Sequence, residues 1–265
     1  MRVTGVVRAV SRVAPADRVV VPVIVLLVVV ANLVGAGVVT LLLLGVTTSD
    51  STTARLVTAV SGAGYLLLAV PVGTVWGLRR QRRTNAWLWS GREPTPEEAL
   101  IALRLPADVA RIVAVVWAVG AVGIGVVAAS VYPQPLVGLR TGLSVVLGGV
   151  VTAGVTHLLV ARAGRHVTAR ALAAHPPEVP RTLSVRRRLL LTWGLTSGVP
   201  MVGLVLLVLD PTGTGTPGRF TALFLPGVSL VVGLLATLLV ARSVGTPLVV
   251  LRRACLLYTS PSPRD

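Results

Sequence analysis

Long apolar stretches alternate with short polar breaks along this chain, and their length predicts helices that cross a membrane. Six of them run approximately Val19–Val46, Leu56–Leu78, Ile112–Val131, Thr141–Ala161, Leu189–Leu209 and Phe220–Ala241. Each reaches the roughly twenty residues that an α-helix needs to cross a hydrocarbon layer of about 30 Å. None carries an Asp, Glu or Arg inside its core, and Leu, Ile and Val each favour insertion by a few tenths of a kcal/mol at a helix centre. The first stretch is too long for the apolar region of a signal peptide, and no small-residue cleavage site follows it. The predicted fold class is all-α: a polytopic membrane protein of six transmembrane helices in three hairpins.

Orientation follows from where the arginines fall. Twenty-one of them, from Arg2 to Arg253, lie in the segments on one side of the six stretches, and only Arg55, Arg140 and Arg219 lie on the other. Such a bias marks the cytoplasmic side. The expectation is therefore a multi-pass protein of a bacterial inner membrane with its N and C termini in the cytoplasm. The outer loops are short and rich in Gly, Pro, Ser and Thr, which reads as turns rather than as an extracellular ligand-binding domain.

The inner loops carry more structure. Thr95-Pro96-Glu97-Glu98 has the form of a helix start, with Thr95 capping the amide three residues on and Glu98 reaching back. A short helix is expected from there to about Leu105, ended by Pro106, with Asp108 capping the third span. The fourth span is expected to continue as a polar helix through Arg170 to Ala174, where the run HPPEVP breaks it.

Composition narrows the partners. The net charge is +16, and every basic side chain other than His is Arg, with no Lys, a bias that suits a GC-rich genome such as an actinobacterial one. The arginines gather at the ends of apolar stretches, where anionic headgroups attract them by roughly 1 kcal/mol each. The expected partner is thus the lipid bilayer and not nucleic acid. Cys255 is the only cysteine, so disulfides and Cys-ligated metal sites are excluded. No cluster with metal spacing, no nucleophile with a base and no phosphate loop is present, and neither a catalytic residue nor a cofactor is expected in this stretch.

Two polar residues inside the spans stand out. Asn32 sits mid-span and has to bond across helices or to its own backbone, as packing glue of roughly 1 kcal/mol or as a ligand contact. His157, near the inner end of the fourth span, is either a proton or ligand sensor or a neutral histidine bonded to a neighbour, and the second role is the expected one. Gly73 with Gly77, Gly194 with Gly198, and the run Gly120, Ala121, Gly123 and Gly125 would let helices approach closely. Pro71, Pro200 and Pro226 are expected to kink or interrupt their helices. Trp76, Trp87, Trp89 and Trp193 read as anchors at the inner headgroup level, and Trp117 as a side chain packed between helices.

After the sixth span comes Ala241-Arg242-Ser243-Val244-Gly245-Thr246-Pro247-Leu248-Val249-Val250-Leu251. Arg242 at the membrane edge, the Pro247-Leu248 pair and Leu251 resemble the start of a HAMP domain, the parallel helical relay of many bacterial receptors. Val244, Leu248 and Leu251 fall at i, i+4 and i+7, the seam of a coiled coil. Six spans followed by this relay resemble the membrane half of actinobacterial class III adenylate or guanylate cyclases. GREPTPEEALIALRLP (Gly91–Pro106) and PRTLSVRRRLLLTWGLTSGVP (Pro180–Pro200) add to the likeness. The resemblance implies a C-terminal domain that makes cyclic AMP with two metal ions and works as a homodimer. The last residues, CLLYTSPSPRD, resemble a translated sequencing adapter and are set aside from fold reasoning. The expected organisation is a cytoplasmic segment 1–18, a six-helix membrane domain 19–241, the start of a truncated relay helix 242–254 and an adapter-derived tail 255–265.

Three functions fit these features. One is the anchor and receptor of a cyclase, sensing an apolar or lipid ligand or a protein partner within the bilayer. Another is the same module driving a sensor histidine kinase. The third, a small transporter, lacks the paired intramembrane charges that bind ions. The topology is directly testable: an impermeant thiol reagent applied to intact cells should label single cysteines placed at positions 48–52 and 212–217 and spare those at 84–96. Labelling at 84–96 in unbroken cells would invert the orientation.

Overall fold

The computed structural model describes residues 15–46, 52–90, 92–134, 136–175, 193–199, 201–203, 226–235 and 237–238. Every element among them is helical, and no strand occurs among the described residues. In chain order they are α1 (Pro15–Val46), α2 (Thr52–Arg80), α3 (Arg82–Ser90), α4 (Pro96–Val131), α5 (Leu136–Ala163) and α6 (Arg165–Ala174). A π-helical turn at Gly194–Gly198 and a short apolar helix α7 (Pro226–Leu235) follow. Helices α1, α2, α4 and α5 are long and apolar enough to cross a membrane. They lie where the first four apolar stretches predicted them. About half of the fifth and sixth stretches, and all of 242–265, lie outside the described residues.

The four long helices carry apolar side chains on their outward faces. Leu67 is 76% exposed, Val122 69% and Leu26 62%. Apolar patches of this extent mark a surface that meets lipid or protein rather than water. Lipid tails are as apolar as Leu, so the helices gain little from burying these residues against one another, and close packing has to hold them together.

That packing centres on the antiparallel pair α4 and α5, the most extensive contact in the structure. Near the link between them α5 brings Gly138 against α4. A Cβ on Gly138 would lie 2.5 Å from the Ala129 Cβ and 2.6 Å from the Gly125 carbonyl oxygen. The two backbones are in contact there, which only glycine allows. Further along, a Cβ on Gly149 would lie 2.6 Å from the Trp117 Cβ. The small residues of α5 thus form a seam into which Trp117 of α4 and Val39 of α1 pack, beside Val145 of α5 itself. Helix α1 lies antiparallel along α5, with Gly35 facing the Thr152 side chain. Helix α2 packs on α4 and touches α1 more lightly.

At the arginine-rich end the short helices α3 and α6 cover α4. Trp87 and Leu88 of α3, Ala99 and Ala102 of α4, and Val167 and Ala171 of α6 form one buried cluster. The helix α3 was not expected from the sequence, and Trp87 corrects its reading as an interface anchor. It is fully buried, with the Arg170 guanidinium 5.4 Å from its ring centroid. Trp76, Trp89 and Trp193 are exposed, as an anchoring role requires.

The start of α4 has the expected form, but its interior departs from expectation. Thr95 caps it, and Pro96 occupies its first turn. The helix then runs unbroken through Pro106 to Val131. Proline removes the amide that would bond the Ala102 carbonyl and costs about 3 kcal/mol in a helix interior. Packing holds the helix on both sides of it: Ala102 and Leu105 are buried before Pro106, and Ile112 and Val113 after it. Asp108 pairs with Arg111 at 3.2 Å and does not start a new helix. Helix α2 likewise passes through Pro71. The polar continuation of the fourth span is a separate helix, α6, offset by a turn at Gly164. It ends at His175, whose φ of −140° and ψ of 86° lie outside the helical region, as favoured by the proline that follows.

Replacing Gly138 tests the crossing. Gly138→Val drives Cβ into backbone that cannot yield, so it should destabilise the α4–α5 pair by about 1–3 kcal/mol or more. A Cβ on Gly123 meets nothing within 4 Å, so Gly123→Ala should be neutral or slightly stabilising. Thermal unfolding in nanodiscs separates the two, and equal behaviour would refute the close crossing.

Candidate functional site

Because α2 stands away from α1, a cavity of about 190 Å³ opens between α1, α2 and α4. One face of α2 lines it. Thr58, Gly62, Tyr65, Ala69, Gly73 and Gly77 recur every three or four residues along that wall, the spacing of a single helical face. The facing walls are mainly Val, Ile and Leu of α1 and α4, with Asn32, Thr40 and Trp117 among them. Arg55, at the far end, is the only charged residue lining the cavity among the described residues.

Polar groups in the middle of the wall are bonded within the protein. The Trp117 Nε1–H donates to Asn32 Oδ1 at 2.9 Å, and Asn32 Nδ2 donates to the Val28 carbonyl at 2.8 Å. Asn32 therefore makes both expected kinds of bond, across helices and to its own backbone, and joins α1 to α4. Interhelical bonds of this kind contribute about 0.6 kcal/mol on average. Tyr65 Oη donates to the Val116 carbonyl of α4. A Cβ on Gly120 would lie 2.6 Å from the tyrosine Cε1, so the glycine makes room for the ring. The hydroxyls of Thr58 and Thr74 donate to carbonyls one turn back in α2, at 3.0 and 2.7 Å.

The arginine-rich end differs. Gln81, in the turn between α2 and α3, lines the cavity beside Leu88 and Val167. It is buried, and neither Oε1 nor Nε2 has a hydrogen-bond partner among the described residues. The Trp87 Nε1–H, in the layer that closes this end, is also without a partner among the described residues.

Beyond that layer the cap is tightly bonded. Glu98 accepts from Arg92 through both oxygens, at 2.5 and 2.8 Å, and from the Thr95 backbone N–H at 2.9 Å. The Glu98 N–H returns a bond to Thr95 Oγ1 at 3.3 Å. Pairing with Arg92 and, against the opposing effect of burial, the Thr95 amide hold the Glu98 carboxyl at about 2, below its usual 4.5. His175 Nε2 lies 3.0 Å from the Pro94 carbonyl, tying the end of α6 to the loop before α4.

Of the residues singled out in the sequence, Asn32 lines the cavity, while His157 is half-buried on α5, has an interaction partner and does not line it. Arg242, Val244, Pro247, Leu248 and Leu251 lie outside the described residues. Tyr65 and Gln81 were missed. Gln81 sits within the arginine run 79–83, where its charged neighbours hide it. Its spacing from Gly73 and Gly77, at i+8 and i+4, is the signal that places it on the lining face. Among the described residues no group of three or more His, Cys, Asp or Glu side chains could hold a metal ion.

Comparison with known proteins finds uncharacterised mycobacterial relatives. An uncharacterised protein of Mycobacterium tuberculosis is 31% identical over 201 residues, covering 72% of this chain and 36% of the relative. A second from the same organism is 31% identical over 204 residues, covering 72% of this chain and 34% of the relative. One from Mycobacterium bovis is 31% identical over 201 residues with the same coverage as the first. The matched part of the chain spans about a third of the length of these relatives. No protein-family model matches the chain, and no solved structure does.

The carboxylate of Glu98 sets an acid limit on the cap. Its pKa is lowered in the folded state, so its stabilising contribution is complete above the unfolded value near 4.5. It is lost as pH falls through about 2. Amide exchange over residues 97–100 should therefore accelerate on acidification below about pH 4.5, beyond the intrinsic pH effect on exchange. Glu98→Gln should remove that step, and Thr95→Ala should speed exchange roughly fivefold at neutral pH, equivalent to about 1 kcal/mol. An acid step that survives in Glu98→Gln would assign it to another group.

Proposed function

We propose that the chain is the membrane module of a HAMP-linked signalling protein. The output we assign to the full-length parent is a class III adenylate cyclase domain that makes cyclic AMP. In this reading six helices cross a bacterial inner membrane in three hairpins, with both termini in the cytoplasm. Residues 242–254 begin the relay to the output domain, and the parent works as a homodimer. The observation that carries the reading is Arg242 and the Pro247-Leu248-x-x-Leu251 pattern directly after the last apolar stretch. Two further findings support it. The matched segment fills only 36% of the Mycobacterium tuberculosis relative, which leaves room in a protein of that length for an output domain. Three of the four described long helices, α1, α2 and α4, leave a cavity between them, the form suited to receiving a ligand from the bilayer.

Relay through a parallel seam makes a geometric demand. Any shift of the sixth helix has to reach Val244, Leu248 and Leu251 as a change of register. In the full-length parent, disulfide crosslinks between copies should form readily with Val244→Cys, Leu248→Cys or Leu251→Cys and poorly with Val249→Cys or Arg252→Cys. One residue inserted after Arg242 rotates everything downstream by about 100° and should change cyclic AMP production at unaltered membrane insertion. Equal crosslinking at all five positions removes the seam. Unchanged activity after the insertion reduces the six helices to an anchor, and an absence of cyclic AMP in the active parent removes the cyclase assignment.

A further inference from the structure

Gln81 sits where an unsatisfied polar group is hardest to tolerate. Its backbone is satisfied, since its N–H donates to the Gly77 carbonyl at 3.0 Å. Its side chain is not. The residue is 5% exposed, lines the cavity, and has both amide atoms without a partner among the described residues. A buried amide in this state forfeits the hydrogen bonds that it makes to water in the unfolded chain. Elsewhere along the wall, Asn32, Tyr65, Thr58 and Thr74 bond within the protein. Among the described side chains that line the cavity, Gln81 alone has buried polar atoms without a partner, and it lies at the arginine-rich end, at the foot of an apolar wall.

We propose that this cavity binds an uncharged, single-chain amphiphile, with its head on Gln81 and its tail along α1, α2 and α4. The charge state of the head follows from the amide. Oε1 only accepts and Nε2 only donates, so a complementary head has to do both. A hydroxyl beside an ester carbonyl, or a primary amide, does so. A carboxylate leaves Oε1 unpaired, and an ammonium leaves Nε2 unpaired. The arginines that flank Gln81 in sequence are not among the residues lining the cavity, so none of them supplies a counter-charge within it. The only charged lining residue among those described, Arg55, lies 26 residues away on α2, roughly 39 Å along a helix at about 1.5 Å per residue. The volume of about 190 Å³ falls below the ~300–1,000 Å³ of sites for compact drug-sized ligands and suits a slender chain. The lighter contact between α1 and α2 gives the tail a lateral way in from lipid. The site names a ligand class for the receptor reading and rests on its membrane part, because the bilayer supplies the molecule. It does not depend on the relay or on a cyclase.

The test uses the whole chain in phosphatidylcholine nanodiscs that contain equal mole fractions of monoolein, oleate or oleylamine, three heads on one tail. Lipid retained by the protein is read by native mass spectrometry. Monoolein should be retained roughly tenfold over the other two, the factor expected for about one net hydrogen bond. Gln81→Leu should abolish that preference and raise the melting temperature in nanodiscs of phosphatidylcholine alone, because the unpartnered amide is gone. Gly73→Leu, which fills the cavity between α2 and Val116, should lower retention of all three lipids alike. Equal retention of the three heads by wild type overturns the proposal, as does a preference for oleate, which would assign the head to an arginine, either Arg55 or one of those flanking Gln81. A higher melting temperature in Gln81→Leu with monoolein retention unchanged overturns it too, since the amide would then be unsatisfied without serving a ligand. No step of this test reads cyclic AMP, so its failure leaves the relay experiment standing, and the reverse holds equally.

Discussion

Helices that meet in lipid gain nothing from hiding apolar surface, so the α4–α5 crossing depends on how near two backbones can come. Gly138 settles that distance. With no Cβ it lets α5 rest on the Gly125 carbonyl and on Ala129, where dispersion contacts are densest. Once these helices are in register, the rest follows in order. Trp117 is carried against Gly149, its indole N–H reaches Asn32, and α1 is drawn along α5. The end of α5 then brings α6 over Trp87.

The same geometry explains why a cavity persists on the other side. Helix α2 turns its small and polar face inward and its Leu and Val face outward, so it contributes little bulk to the interior. Tyr65 spans the gap at one level, where Gly120 leaves room for its ring. Elsewhere along α2 the inward positions are mainly Thr, Ala and Gly, with Leu66, Val70 and Leu78 among them. A soluble protein would collapse such a gap by the hydrophobic effect. In a bilayer the driving force for collapse is weak, and a gap that lipid or a ligand can fill is tolerated.

The cap at the arginine-rich end is built by different physics, those of a small soluble core. Apolar burial under α3 and α6, a capping box, the Arg92–Glu98 ion pair and the Arg170–Trp87 contact act together within a few turns. Gln81 lies where the two regimes meet, at the end of the lipid-like cavity and at the edge of the cap.

Local features of the fold were legible in the residues themselves. Lengths of apolar run placed α1, α2, α4 and α5, because a membrane helix must satisfy its own backbone and so follows composition alone. The Thr95–Glu98 cap was equally readable, since all its partners lie within three residues of each other. Pro106 was misread because whether a helix survives a proline depends on what packs before and after it, and that packing comes from α3, α5 and α6. Trp87 was misread for the same reason: a tryptophan near an interface anchors in headgroups unless another element covers it, and α6 does. Gln81 looked like one more polar residue among arginines until the tertiary structure turned it inward. Local chemistry determines which helices form and where they start. The arrangement of helices decides which side chains face lipid, one another or an open cavity, because that depends on contacts between residues far apart in the chain.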